Sequence, residues 1–365
     1  VIREVLSRTG VGPAALDEVI FGQAKQSSDQ PNLARLAALM ADIPVGVPAY
    51  TVHRQCGSGL QAVHNAVQAI RAGEAEVVLA GGTESMSTAP YYLRSARFGY
   101  ASGNGELVDP NTESQPRSQP IDRYGRLTMG LTAENLADKY AIGREEQDEF
   151  AYDSQKKADA ALRSGVFAAE IVPVPVREKK GVAPFVRDEH PRLTTPEELS
   201  RLKPVFKPGG TVTAGNSSGR NDGAAAILVA AGDKARAMGL KPKARVVAQA
   251  AAGVPPEIMG IGPVPAVQKA LQRAGLRLDD IDLIELNEAF AAQSLAVIRE
   301  LGIDRRRLNV NGGAIALGHP IGCSGARILV TLLHEMERRR ARYGLATLCI
   351  AGGLGIATIV ERAEG

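Results

Sequence analysis

The chain contains no tryptophan, and aromatic residues make up only 4% of it. Its packing therefore has to rest on aliphatic side chains and close backbone approach, which 39 glycines permit. Cysteine is also scarce: three in 365 residues, an odd number with no CxxC pair. That excludes a disulfide framework and a zinc site of the usual spacing, and a reducing, cytoplasmic setting is expected. No run of about twenty apolar residues occurs, so no membrane span and no membrane partner are expected. The net charge of +3 is small for this length and leaves no basic stripe for nucleic acid.

What the sequence does have is alternation. Apolar runs at 19–21, 77–80, 223–230, 281–284 and 346–350 read as strands. Residues 32–40, 60–71, 264–275, 288–301 and 327–340 read as helices. Continuously apolar strands between helices are buried on both faces, which predicts a layered α/β fold. From about 89 to 212 the periodicity weakens while proline and charge increase. This stretch reads as an inserted, loop-rich subdomain with helices at 131–140 and after Gly143. The expected division is 1–88 with 213–237, the insertion 89–212, and 238–365. Val77-Val78-Leu79-Ala80-Gly81-Gly82 echoes Leu348-Cys349-Ile350-Ala351-Gly352-Gly353, which suggests two similar halves. Val1, Val5 and Leu6 share one helical face, so an upstream segment is expected before Val1, with any targeting signal on it.

Five stretches carry chemistry, and each has a plainer alternative. Cys56, in His53-Arg54-Gln55-Cys56-Gly57-Ser58-Gly59, sits where a strand gives way to a helix. A helix N-terminus stabilises a thiolate, and its free N–H groups can hold an oxyanion. The alternative is a small cysteine packed among glycines. His319, in Gly318-His319-Pro320-Ile321-Gly322, has a rigid backbone that aims its ring as a base or oxyanion donor, or simply holds a turn. Cys349 ends an apolar strand before Gly352-Gly353, as a reactive thiol or a core residue. Asn287, in Leu286-Asn287-Glu288-Ala289-Phe290, is either a helix N-cap or a water-holding amide. Residues 211–223 are rich in Gly, Ser and Asn, either a close path for a narrow ligand or only a turn.

In this order, these stretches resemble the thiolase family over nearly the whole chain. Gly81-Gly82-Thr83-Glu84-Ser85-Met86, Met129-Gly130-Leu131-Thr132-Ala133-Glu134 and Ala214-Gly215-Asn216-Ser217-Ser218-Gly219 add to the match. The resemblance implies a five-layered αβαβα fold of two similar halves with an inserted loop domain. It implies acyl transfer between CoA thioesters through an acyl thioester on Cys56, by Claisen condensation or reverse thiolysis. Acetyl-CoA C-acetyltransferase is the first activity implied, and degradation of 3-ketoacyl-CoA in fatty-acid β-oxidation the alternative. Cys56 is then the nucleophile and His319 its base. Asn287 holds a water, and Cys349 is a second acid/base. Ser218 would touch pantetheine, with Met129, Met259 and Phe290 lining the acyl pocket and Ala214, Ala289 and Ala351 among the substrate- or CoA-binding residues. Phe206 would lie toward the adenine, and Arg192 would meet the CoA phosphates. The partners implied are CoA and acyl-CoA as substrates and a second copy of the chain, as dimer or tetramer; no metal and no further cofactor is implied.

Some positions depart from the family pattern. Its first strand is absent before Val1. Thr128 stands where many short-chain members carry His. Ala351 replaces a usual Gly, although the N–H there survives, so an oxyanion site at Ala351 is expected to persist. Cys323 reads as packing. Condensing enzymes loaded from a carrier protein pair the cysteine with two histidines, and Cys349 counts against that reading. A non-catalytic acyl-CoA or lipid-binding relative has no need of both Cys56 and Cys349. Gly352-Gly353-Leu354-Gly355 lacks the spacing of a dinucleotide fingerprint.

Overall fold

Strands with apolar residues on both faces need cover on both sides, and the chain supplies it with two sheets and three helical layers. The computed structural model describes residues 1–179 and 181–363. The chain runs through β1 (Glu18–Gly22), β2 (Ala49–Val52) and β3 (Val77–Glu84). It then leaves the sheet for two small hairpins, β4 (Tyr92–Leu93) with β5 (Leu107–Val108) and β6 (Val174–Glu178) with β7 (Gly181–Phe185). It returns as β8 (Gly223–Ala230) to complete a sheet of order β2-β1-β3-β8. The second sheet contains β9 (Ala244–Gly253), β10 (Leu283–Leu286), β11 (Tyr343–Ile350) and β12 (Leu354–Arg362), in the order β10-β11-β12-β9. β1–β3–β8 are joined parallel then antiparallel, and β10–β11–β12 repeat that pattern, so the two halves are alike.

The helices Ser58–Ala72 and Ile321–Arg339 fill the space between the sheets. Leu60, Val63 and Val67 of one, with Ile328, Leu329 and Leu332 of the other, share a core with Ile20 and Val78 from the first sheet and Leu348 and Ile356 from the second. Burying Leu60 or Ile328 there contributes roughly 1.5–3 kcal/mol each. Residues alternate along the strands, so Val19, Phe21, Val77 and Leu79 face the other way. They pack under helices Ile2–Thr9 and Leu33–Met40. Leu345, Ala357 and Ile359 likewise pack under Pro263–Ala274 and Ala291–Leu301. The result is helix, sheet, helix, sheet, helix: the expected five layers.

The two central helices meet through glycine. A Cβ on Gly59 would lie 2.8 Å from the Ala326 nitrogen, and one on Gly325 would lie 2.4 Å from that of Leu60. One of these helices begins just after Cys56 and the other just after His319, so the crossing brings both N-termini to one end of the sandwich. In the insertion, helices Met129–Lys139 and Arg144–Arg163 occupy the expected places. Thr128 caps the first, its side chain accepting from the Leu131 N–H at 3.3 Å. The buried Glu134 carboxylate accepts from the N–H groups of Thr211 and Val212, both at 2.9 Å, and so ties the end of the insertion to that helix. Among the described residues no helix is long and apolar enough to cross a membrane.

Candidate active site

Cys56 is presented by a strained turn. Gln55 before it has φ 46°, a left-handed backbone that non-glycine residues rarely adopt. Three hydrogen bonds hold the turn: Gly57 N–H to the Arg54 carbonyl (3.0 Å), Ser58 N–H to the Gln55 carbonyl (3.0 Å), and Arg54 N–H to Ser58 Oγ (2.8 Å). Burial pushes the Cys56 thiol up to about 11, while the Ala351 N–H and the Lys25 ammonium act in the opposite direction. Cys349 is wholly buried in β11, and its thiol is also pushed up, first by burial and then by Cys56. The two sulfurs therefore lie within electrostatic range, and negative charge on one opposes it on the other. Neither ionises unaided near neutrality, so a base is required.

His319 has the properties of that base. Burial, and secondarily Arg327, lowers its ring to about 4, so it is neutral at pH 7. Its Nδ1 lies 2.6 Å from Ser324 Oγ. The Ser324 hydroxyl donates its only proton to the Pro320 carbonyl at 2.9 Å. Nδ1 must then be the donor to Ser324, and Nε2 keeps a lone pair. Nε2 is buried without a partner in the protein. The His319 backbone is fixed as well, its N–H bonded to Asn221 Oδ1 at 3.1 Å.

Asn287 is fully buried, and neither its amide nitrogen nor its oxygen has a protein partner. The N-cap reading fails here: the helix begins at Ala291, and its N-cap position is Phe290. An unpartnered buried amide is expensive, which fits a group aimed at a ligand or water. The backbone around it is stitched to the 211–223 turn, with Ser218 N–H to the Ala289 carbonyl (3.0 Å) and Ala291 N–H to the Asn216 carbonyl (2.9 Å). The same turn reaches the histidine loop through a bridge between Arg220 and His319. Met129, Phe206, Met259, Ala289 and Phe290 form one apolar cluster with Cys349. The arrangement therefore holds two thiols, one neutral imidazole with a free lone pair and one free amide, with an apolar wall beside Cys349.

Comparison with known proteins decides the family. The family profile "Thiolase, N-terminal domain" matches residues 1–233, and "Thiolase, C-terminal domain" matches residues 240–362. The chain belongs to the thiolase family. This thiolase is 56% identical to an acetyl-CoA acetyltransferase of Pseudomonas aeruginosa, over 99% of this chain and 92% of that one. It is 53% identical to an acetyl-CoA acetyltransferase of Syntrophomonas wolfei over 99% and 91%. Among solved structures it resembles the Bacillus anthracis acetyl-CoA acetyltransferase with a TM-score of 0.96 at 48% identity, covering 100% of this chain and 91% of that one. It resembles human mitochondrial 3-ketoacyl-CoA thiolase with a TM-score of 0.95 at 48% identity, covering 99% and 91%.

Within this thiolase, the residues singled out from sequence fall into two groups. Cys56, Cys349, His319, Asn287 and the Met129–Met259–Phe290 wall belong to the loops just described. Phe206 packs edge-on against Phe290 with ring centres 5.9 Å apart, in the apolar cluster with Met129, Met259 and Cys349. Gly130 makes room for it, since a Cβ there would lie 2.2 Å from the Phe206 ring. Ser218 is half-buried, while Ala214 is exposed on the turn. Arg192 is exposed, close to His190, which in turn packs against Gly219 of that turn. Cys323 is buried with Ala225 and Ala326, as packing requires. Sequence reading missed Ser324, Asn221, Glu84 and Lys25. Ser324 alone left a signal, because a helical serine commonly bonds back to the carbonyl four residues earlier.

Proposed function

We propose that this thiolase is an acetyl-CoA C-acetyltransferase working through an acetyl thioester on Cys56. His319 Nε2 takes the Cys56 proton, and the thiolate attacks the carbonyl carbon of acetyl-CoA. The bond to the CoA sulfur breaks, and that sulfur leaves with the proton of Cys349. The Cys349 thiolate then removes an α-proton from a second acetyl-CoA. The resulting carbanion attacks the acetyl carbon on Cys56, the carbon–carbon bond forms, and Cys56 leaves as thiolate to regain its proton from His319. The N–H groups of Cys56 and Ala351 hold the acyl oxygen. The protonated His319 and a water on Asn287 hold the enolate oxygen.

The observation that carries this reading is the set of buried, unpartnered polar atoms, His319 Nε2 and the Asn287 amide, in a site that also holds two buried thiols. The human neighbour is described in complex with CoA, with a TM-score of 0.94. That neighbour supports CoA as a ligand here; in this reading residues 89–212 cradle it, with Ser218 along the pantetheine, Ala214 among the CoA contacts and Arg192 near the phosphates. A homo-oligomer is part of the same reading. Thiolysis of longer 3-ketoacyl-CoA is the second reading, favoured by the equal 48% identity to the Bacillus anthracis and human enzymes. Relative kcat/KM across acyl lengths separates the two.

The test is intact-mass analysis after incubation with acetyl-CoA. Wild type is expected to gain one acetyl group and Cys56→Ala none. Cys349→Ala is expected to acetylate but form no acetoacetyl-CoA. Equal labelling of wild type and Cys56→Ala would refute the assignment.

A further inference from the structure

Lys25 takes no part in that reaction scheme, yet it is buried beside it. It follows β1, whose last residue, Gly22, abuts the helix after Cys56: a Cβ there would lie 2.3 Å from the Ser58 carbonyl carbon. The N–H groups of Ala24 and Lys25 each bond to Glu84 at 3.0 Å, which fixes the loop. Lys25 is 8% exposed. Its ammonium donates to the Pro110 carbonyl at 3.1 Å and to the Ser114 hydroxyl, both neutral. The path continues toward the nucleophile. Ser118 Oγ donates to the Ser114 carbonyl at 2.9 Å, and Gln55 Nε2 donates to Ser118 Oγ at 3.2 Å. Gln55 is the residue before Cys56.

A buried ammonium bonded only to neutral groups is unfavourable unless negative charge faces it at some stage. The charged and titratable groups facing Lys25 are Glu84, Cys56, Asp109 and a second cation, Arg220. Glu84 is occupied by three backbone N–H groups, those of Ala24, Lys25 and Gly322. Asp109 is occupied by the Asn111 N–H, the Thr112 hydroxyl and Arg220. These bonds do not remove the charge of either carboxylate; Cys56 differs from them in becoming negative during the reaction, when its proton passes to His319. Glu84 and Cys349 are the groups that oppose this charge.

We propose that Lys25 is a positioning residue of this thiolase, its buried ammonium holding the negative charge of the Cys56 thiolate before acyl transfer. The inference rests on the reading of Cys56 as nucleophile. It is tested by the rate at which iodoacetamide labels Cys56 as a function of pH, with the labelled cysteine identified by peptide mass. Lys25→Gln keeps a donor for Pro110 and Ser114 but removes the charge; Lys25→Arg keeps the charge. The Lys25→Gln midpoint is expected to rise by about one pH unit, or roughly tenfold slower labelling at pH 7. Lys25→Arg is expected to follow wild type. Lys25→Met is a second charge-free variant, in case the buried amide of Lys25→Gln disturbs folding, and the same rise is required of it. Charge-free profiles that coincide with wild type overturn the proposal, as does a Lys25→Arg profile shifted as far as that of Lys25→Gln. Acetylation of wild-type Cys56 is measured separately. An unmoved labelling profile with acetylation intact rejects Lys25 alone, whereas absent acetylation rejects the acetyltransferase reading.

Discussion

Replacing Ser324 by alanine should disable the base without touching substrate. In the folded protein the serine proton is committed to the Pro320 carbonyl, and this forces the imidazole to donate through Nδ1. Ser324→Ala leaves Nδ1–H without a partner on a ring that is 7% exposed. A buried donor left unsatisfied costs about 1–3 kcal/mol. Nε2 faces the ligand site, where water can accept from it, so the imidazole escapes that cost by moving its proton to Nε2, the atom that must accept from Cys56. The competent tautomer then falls by an amount equal to the penalty, and at 1.36 kcal/mol per decade this is roughly 10- to 100-fold in acylation rate. KM for acetyl-CoA should hold, because Ser324 is fully buried against Nδ1, on the side of the ring opposite Nε2. Quenched-flow acylation followed by intact mass measures the rate, and imidazole nitrogen shifts in labelled protein report the tautomer directly. Acylation within twofold of wild type, with the Nδ1-protonated tautomer still dominant, would refute the reasoning.

Two further outcomes follow from buried polar groups. Asn287→Leu removes an amide with no protein partner, so the melting temperature should hold or rise while condensation slows by roughly 100-fold; an equally active, less stable variant would contradict this. Glu285 is pushed up to about 8 by burial, against Arg327 and with Glu170, Glu288 and Glu335 nearby, and Glu170 itself is pushed up to about 7. A carboxyl whose folded pKa is raised keeps its proton in the fold after the unfolded chain has lost it. Its contribution is complete below about 4.5 and is lost as pH rises toward 8. Between pH 7 and 8 the loss from Glu285 is about 1 kcal/mol. Urea unfolding at pH 7 and pH 8 should show the decline, and Glu285→Gln should flatten it; parallel slopes for the two proteins would exclude Glu285 as the source.

The layer order was legible because strands such as residues 77–80 are apolar on both faces, and only cover on both sides satisfies them. The loops around Cys56, His319 and Cys349 stood out in the sequence because each sets a reactive group near glycine at an element boundary. Asn287 was only half legible. A polar residue after a strand suits a cap or a ligand equally, and the helix start at Ala291 removes the cap. The packing of Phe206 on Phe290 and the burial of Lys25 against Pro110 and Ser114 were not legible, because these partners lie far away in the chain. The expected helix boundaries were off by a few residues where the chain enters the site, as at 288 against 291.

Glycine shows the limit of such reading most clearly. Counted in the sequence, the glycines suggest turns. In the fold, several of them let one half of the molecule touch the other. A Cβ on Gly82, in β3 of the first half, would lie 2.3 Å from the Gly322 carbonyl oxygen, three residues past His319. A Cβ on Gly57 would lie 2.5 Å from the Ile350 side chain, next to Cys349. The first half is thus seated closely on the second, Gly82 against the backbone after His319 and Gly57 of the Cys56 loop against Ile350 beside Cys349. Close backbone contact of this kind holds reacting groups in place more rigidly than long side chains can, and in catalysis a misplacement of about 1 Å costs on the order of 100-fold in rate. Composition counts these glycines, but only the tertiary fold pairs them, and it is the pairing that brings a thiol, an imidazole and a second thiol to one place.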